Sequence, residues 1–359
     1  MAWGRRFRLP TAGRLRELAG GSACPTLLEH ITTMAKDAVL DWLLEGDPAI
    51  RWQALRDLGG ASATAVRREQ RRIAREGWGA RLLGLQDADG RWAGGLYNPK
   101  WTSTTYTLLL LRSLGLEALH AQALRGCQVL LDAGFWSDGG INFFPKAHKS
   151  SETCVSSMVL AIACWFRLED ERVDALARHV MAQQMPDGGW NCQARLGYSM
   201  PGGRPVTHSS FNTTILALEA LLEYQRMRPG REARAVHAAQ ARGREFLLAH
   251  RLFRSHRTGA IAKTEFTRFV FPARWHYDAL RGLDCFREAG APLDARLADA
   301  FDLVESKRRS DGRWPTQGRY PGKAFFDLEP AGPSRWNTLR ALRVLRWRDE
   351  RLANPLMGS

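Results

Sequence analysis

One short turn sequence recurs along this chain of 359 residues. Asp-Gly-Arg-Trp occupies positions 89–92 and 311–314, and close variants occupy 138–141 and 187–190. Asp-Gly is a strong turn signal, and the apolar residue that follows needs a place to be buried. The glycines of the first three turns are 49 residues apart. A period near 50 is typical of proteins built from repeated supersecondary units. A further unit fits the longer last interval, near residues 243–261, with Gly259 as its degraded turn.

Each period contains two predicted helices. An amphipathic segment such as "LARHVMAQQ" precedes the turn, and a longer, more apolar one such as "THSSFNTTILALEALLEY" follows it. A helix that is apolar on most faces is packed on both sides. Strand patterning is nearly absent. The sequence therefore predicts an all-α fold, an α/α toroid in which a double ring of helices is built from five to six helical hairpins.

The turn also carries a family resemblance. Residues 79–92, "GARLLGLQDADGRW", resemble the QW motif of the squalene and oxidosqualene cyclases and the related repeat of protein prenyltransferase β-subunits. Gln184 and the turn at 187–190 match the second half of the motif, whereas Phe135 and Arg308 stand at the Gln position in two other repeats. The resemblance spans about residues 60–348. It implies a toroid of the terpenoid cyclase and protein prenyltransferase superfamily, with a deep central cavity and structural rather than catalytic turns.

We expect the catalytic or binding residues at the openings of the inner helices, by which we mean their first turns and the residues just before them. Their N-terminal ends suit anions such as diphosphate, because free N–H groups and the helix dipole point there. Lys100 and Arg274 are among the basic residues at these openings, although surface charge is the alternative for each. The openings also concentrate aromatic residues, which stabilise carbocations or simply pack in a core. The candidate cavity residues are Trp101, Tyr106, His208, Phe211, Trp275, Tyr277 and Trp336.

A metal site is one interpretation of these openings. The resemblance implies a zinc held by an Asp-x-Cys pair and a later His, and Glu152 and Cys154 have that spacing with Glu in place of Asp. His208 or His276 would supply the imidazole, and Cys192 is a further thiolate candidate. These residue types are ordinary zinc ligands, and a catalytic zinc keeps one position open. Zinc is therefore the candidate cofactor, the alternative being that these are buried or cavity-lining polar groups.

A metal-free reaction is the second interpretation. Squalene-type cyclases protonate an alkene with a DxDD segment, which this chain lacks. Asp278, with His276 two residues before it, is the candidate acid at an inner-helix opening. Glu152 and Asp278 together would be the acid pair of a carbohydrate-active enzyme.

The function expected from these features is an isoprenoid-type cyclase or prenyltransferase-like enzyme. Its substrate would be hydrophobic, with or without a diphosphate, and would lie in a hydrophobic central cavity. A non-catalytic toroid that binds a lipid or a protein is one alternative, and a carbohydrate-active toroid is the other. Protein prenyltransferases also need a second subunit, so a partner subunit stays an open question.

Composition limits the partners and the location. The chain has 52 Lys and Arg against 37 Asp and Glu, but no Arg-rich block with interleaved aromatics, so nucleic acid is not expected. Six cysteines without a CxxC pair favour reduced thiols and the cytoplasm. Peripheral contact with a membrane surface stays open. We expect residues 1–33 to be a disordered basic extension, residues 34–350 to form the toroid, and residues 351–359 to form a tail.

Overall fold

The computed structural model describes residues 38–192, 199–200 and 204–354, so the expected extension at 1–33 lies outside the described residues. The described chain is helical, as predicted, with strands of two residues only. The helices are α1 (38–44), α2 (Pro48–Asp57), α3 (Ala63–Arg72), α4 (Gly77–Leu83), α5 (Thr104–Leu114), α6 (Ala121–Gly134), α7 (Thr153–Trp165), α8 (Arg172–Ala182), α9 (Phe211–Met227), α10 (Ala233–Ala249), α11 (Ala279–Glu288), α12 (Ala298–Ser306) and α13 (Arg335–Ala353). The strands pair as β1 (Ser199–Met200) with β2 (Arg204–Pro205) and β3 (Trp314–Pro315) with β4 (Pro333–Ser334).

In the described part of the chain, six helices form a closed inner ring. Helices α5, α7, α9, α11 and α13 pack in that order, and α13 packs against α2. Helix α2 completes the ring at α5, where Trp52 Nε1 donates a hydrogen bond of 2.8 Å to the carbonyl of Leu114. Nearly every residue of α5 and α7 is buried, whereas α3 on the outside buries only Val66. The chain is therefore an α/α toroid, as the repeat predicts.

The recurrent turn ties an outer helix to the following inner helix. Trp190 is fully buried, and its Nε1 donates to the carbonyl of Val180 at the end of α8. Its backbone N–H donates to Thr214 Oγ1 in the first turn of α9. Trp92 and Trp314 make the same two bonds at their own repeats. The turns are therefore structural, as expected.

The residues at the openings of the inner helices are rich in Ser and Thr, which commonly cap a helix N-terminus. The Ser- and Thr-rich openings predict side-chain caps, but the residues that precede α5, α7 and α9 make no side-chain cap bond. Asp278 and Ser334 do cap α11 and α13. In the other three helices a first-turn hydroxyl instead accepts the backbone N–H of the preceding turn.

Two further features bear on the sequence expectations. Helix α13 continues to Ala353, inside the segment that we expected to be a tail. The degraded turn is present, because Gly259 has a φ of +71° and Arg254 pairs with Ile261 across it.

No helix in the described ranges has both the length and the apolar character needed to cross a bilayer.

Candidate functional site

The inner helices begin close to where the sequence predicts, and the described residues line two cavities inside the ring. An upper cavity of about 790 Å³ lies at the N-terminal ends of the inner helices, under residues 316–332. A lower cavity of about 200 Å³ extends toward their C-terminal ends. Leu110, Phe271, Pro272 and Arg274 line both cavities, so these residues form the boundary between them. The upper cavity has the size typical of small-molecule sites.

Residues 316–332 cover the upper cavity and have no helix or strand of their own. This covering loop is held to the ring by backbone bonds, in which Trp101 N donates to the carbonyl of Lys323 at 2.6 Å and Lys323 N donates to that of Lys100 at 2.8 Å. Gly322 lies against Trp101, and a Cβ there would be 2.3 Å from Trp101 Nε1. The loop adds Phe325 and Phe326 to the cavity wall, which the sequence analysis did not identify.

A stack of three rings fastens the covering loop. The His276 ring lies 3.7 Å from that of Trp275 and 3.5 Å from that of Tyr320, nearly parallel to both. Burial, Arg281 and Lys100 together lower the pKa of His276 to about 4, so its imidazole is neutral near neutral pH. His276 therefore holds the loop in place, a position that fits a stacking role rather than metal ligation.

Arg274 stands out among the charged residues of the two cavities. It has no carboxylate within ion-pair distance among the described residues, and its buried Nη1 has no hydrogen-bond partner there. Its guanidinium lies 5.5 Å from the Trp101 ring centre. Burial lowers the pKa of Arg274 to about 10, so it remains a cation at neutral pH. Its φ of +56° is a left-handed conformation that disfavours residues with a Cβ, and such backbone is often found at functional sites.

The lower cavity corrects the expectation of a hydrophobic central pocket. Its walls carry a network of buried ion pairs contributed by α2, α5, α9, α11 and α13. Arg281 makes a two-pronged contact with Glu219 at 2.7 and 3.0 Å, and Arg112 lies 2.9 Å from Glu223. Arg343 of α13 pairs with Asp284 of α11. The lower cavity is thus lined by an ionic network as well as by apolar residues such as Trp52, Leu109 and Trp165.

Electrostatics keeps this network ionised. Burial acts to raise the pKa of Glu219, but Arg281 and Arg112 outweigh it and the pKa falls below its ordinary value. Asp284 behaves in the same way, with Arg343 and Arg287 outweighing burial. A signal for the network exists in the sequence, because the charged residues recur at helical spacing within otherwise buried helices. In α9 they are Glu219, Glu223 and Arg226, and in α11 they are Arg281, Asp284 and Glu288.

The structure brings three of the predicted site residues together. Glu152, Cys154 and Cys192 offer ligand atoms that all lie within 4.8 Å of one another. Glu152 and Cys154 open α7, and Cys192 follows the turn that leads to α9. The Cys192 N–H donates to Thr213 Oγ1 in the first turn of α9. Because α7 and α9 are neighbours in the inner ring, these two openings meet.

The two thiols of this Glu-Cys-Cys cluster are unequal. Cys154 Sγ donates to Cys192 Sγ at 3.2 Å. This hydrogen bond lowers the pKa of Cys192, whereas the same bond together with burial raises the pKa of Cys154. Burial raises the pKa of Glu152, against the opposing effect of His148 and Lys100. The Oε2 atom of Glu152 is buried and has no hydrogen-bond partner in the described structure.

The other predicted residues are dispersed. Asp278 is fully buried, caps α11 by accepting the N–H of Arg281, and lies 3.3 Å from Arg340. The His208 side chain is exposed and does not join the Glu-Cys-Cys cluster; neither does His276. Glu152 and Asp278 line neither cavity, so the geometry gives no support to a carbohydrate-active pair.

The predicted cavity aromatics divide into two groups. Trp101 lines the upper cavity, and Tyr106 and Trp336 line the lower one. Phe211 and Tyr277 instead pack against each other, with ring centres 5.2 Å apart, and the Tyr277 hydroxyl donates to the carbonyl of Leu252. They therefore fill the space between inner and outer helices rather than facing a cavity.

Comparisons with known proteins give no family. No family model matches, and no curated protein matches. Among solved structures, a protein from Actinoplanes is 16% identical with a TM-score of 0.45, over 88% of this chain and 98% of that one. The type II terpene cyclase MstE from Scytonema, in complex with its substrate geranylgeranyl dihydroxybenzoate, is 13% identical with a TM-score of 0.30, over 77% of this chain and 96% of that one. Likenesses at this level carry no information about the function of this chain.

Proposed function

We propose that the protein is an isoprenoid-type transferase or cyclase whose substrate lies in the upper cavity. One observation carries the proposal, namely a cavity of about 790 Å³ with aromatic walls at the N-terminal ends of the inner helices. Trp101, Phe271 and Phe325 line it, and rings of this kind both bury an apolar chain and stabilise a developing cation. The covering loop would exclude water from such a chain.

Binding of a prenyl chain tests the proposal. Native mass spectrometry with farnesol should give one bound molecule per chain. Leu110 lies on the wall of both cavities, so Leu110→Trp should occupy the space and abolish binding. Leu85→Trp, at an exposed site outside both cavities, should leave binding unchanged. Equal binding by the two variants, or no binding by the wild type, would contradict the proposal. Conversion of a bound prenyl compound to a new product would then separate an enzyme from a non-catalytic lipid-binding toroid.

A second proposal is that the Glu-Cys-Cys cluster holds one Zn²⁺. The donor set fits, because two sulfur atoms and one carboxylate oxygen are ordinary zinc ligands and would leave one position open. The unpartnered Oε2 of Glu152 supports it as well. When bound, such an ion acts as a Lewis acid that lowers the pKa of a coordinated water or thiol. This chain would contribute Cys192 as the more readily ionised thiol.

Metal content tests the zinc proposal. Protein equilibrated with Zn²⁺ and desalted should retain one zinc per chain, and Cys154→Ser and Cys192→Ser should each reduce that content. Cys164→Ser is the matched control, since Cys164 is buried in the same helix as Cys154 but lies outside the cluster. A wild type that retains no zinc would refute the proposal, as would cluster variants that retain as much as the control.

A further inference from the structure

Arg274 is a partly buried cation with no carboxylate within ion-pair distance among the described residues. Each neighbouring arginine of the lower cavity has a carboxylate partner, such as Glu219 for Arg281 and Asp278 for Arg340. Arg274 has none among the described residues, and its Nη1 is buried without an acceptor. Because a buried charge is costly unless it is paired, an unpaired guanidinium on a cavity wall calls for an anion from outside the protein.

A second unpartnered donor lies on the cavity walls. Trp336 is buried, its Nε1 has no acceptor in the described chain, and it lines the lower cavity together with Arg274. A guanidinium and an indole N–H are both donors only, so the group that satisfies them is an acceptor. Above them lie the aromatic walls of the upper cavity. The ligand would therefore place an acceptor at the boundary between the cavities and an apolar body above it.

The charges on the upper cavity limit that acceptor to a small negative charge. Besides Arg274, its walls carry Arg319, which pairs with Asp327 near the surface. The remaining charged group, Glu329, accepts hydrogen bonds from Ser334 and from the start of α13. A diphosphate carries several negative charges and is normally held by several cations or by metal ions. A carboxylate matches one guanidinium, which can bind it with two parallel N–H bonds.

We propose that the ligand is an apolar carboxylic acid whose carboxylate binds Arg274 while its hydrocarbon part lies under residues 316–332. The proposal rests on the proposed function, because it names the head group of a molecule in the same cavity. The head group of the proposed ligand carries a smaller negative charge than the head group of a prenyl diphosphate. A neutral hydrocarbon has no charged head group.

Three probes with the same chain and different head groups test it. Farnesoic acid, farnesol and farnesyl diphosphate are titrated by calorimetry into the wild type, Arg274→Met, Arg274→Lys and Arg319→Met. In the wild type the acid should bind about ten-fold more tightly than the alcohol, as a charge-assisted bidentate contact predicts, and more tightly than the diphosphate. Arg274→Met should remove the preference for the acid, Arg274→Lys should retain part of it, and Arg319→Met should leave it intact.

The outcomes separate the two proposals. If none of the three probes binds the wild type, the proposed function fails and the head-group assignment fails with it. If the acid and the alcohol bind equally, or if the diphosphate binds most tightly, the cavity takes a prenyl chain but the carboxylate assignment is wrong. A preference for the acid that survives Arg274→Met would assign the contact to another residue. Circular dichroism of each variant establishes that it is folded.

Discussion

Replacing Glu219 by Gln should destabilise the toroid from its centre. Glu219 accepts two hydrogen bonds from Arg281, at 2.7 and 3.0 Å. Among the described residues, Glu219 is the carboxylate that lies within ion-pair distance of Arg281. The Arg281 and Glu219 side chains that make these bonds are both less than a fifth exposed. Glu219→Gln leaves Arg281 charged and without a countercharge. Removing one partner of a buried pair costs about 3–5 kcal/mol. Because Gln keeps a side-chain oxygen that can accept a hydrogen bond from Arg281, we expect a loss of about 3 kcal/mol.

The free energy of unfolding measures this loss. Urea denaturation followed by both tryptophan fluorescence and circular dichroism also reports whether the transition is cooperative. Glu245→Gln is the control, because Glu245 and its partner Arg296 are 60% and 40% exposed, and exposed pairs contribute less than about 1 kcal/mol. Equal losses for the two variants would refute the view that the lower cavity is a desolvated ionic network.

The same variant should change the acid sensitivity of the protein. The pKa of Glu219 lies below its ordinary value of 4.5, so its ionised form favours the fold. Its contribution is therefore complete above that value and is lost as pH falls through the lowered pKa. Glu219→Gln should flatten the stability profile in that acid range. Ligand affinity should fall as well, since Arg281 also donates to the carbonyls of Arg274 and His276.

Two further predictions concern the turn and the covering loop. Trp190→Ala should lower the free energy of unfolding by about 4 kcal/mol, as expected for a large buried aromatic residue. Trp136→Ala, at a half-buried site, should lower it clearly less. Similar losses for the two variants would contradict the structural role of the turn. The pKa of His276 is lowered from 6.5 to about 4, so the neutral form favours the fold and stability should fall as pH drops from 6.5 to about 4. His276→Phe should retain the stack and lose that pH dependence, and an unchanged pH profile would refute the assignment.

The ring was predictable because its signals are local. Each repeat needs one turn glycine with a positive φ and one buried apolar residue, and both can be recognised without knowledge of distant contacts. The meeting of Cys154 and Cys192 follows from the same repeat, since the turn that leads to α9 lies beside the first turn of α7. The candidate metal cluster could therefore be proposed, but the histidine that the resemblance implies, His208 or His276, does not join it.

The cavity itself was less predictable, for two physical reasons. Residues 316–332 have no regular structure, so nothing in their periodicity shows that they fold over the helix ends and bring Tyr320 onto His276. Whether a buried charge is neutralised also depends on which residue lies beside it in the fold. Arg281 and Arg274 look alike in sequence, yet one is paired with Glu219 and the other is not.

A crystal structure of the protein with farnesoic acid would show whether Arg274 binds the carboxylate. We expect the hydrocarbon chain to occupy the upper cavity under residues 316–332, with the carboxylate oxygens within hydrogen-bond distance of the Arg274 guanidinium. A chain bound elsewhere would contradict it, as would an Arg274 side chain paired with a carboxylate of the protein.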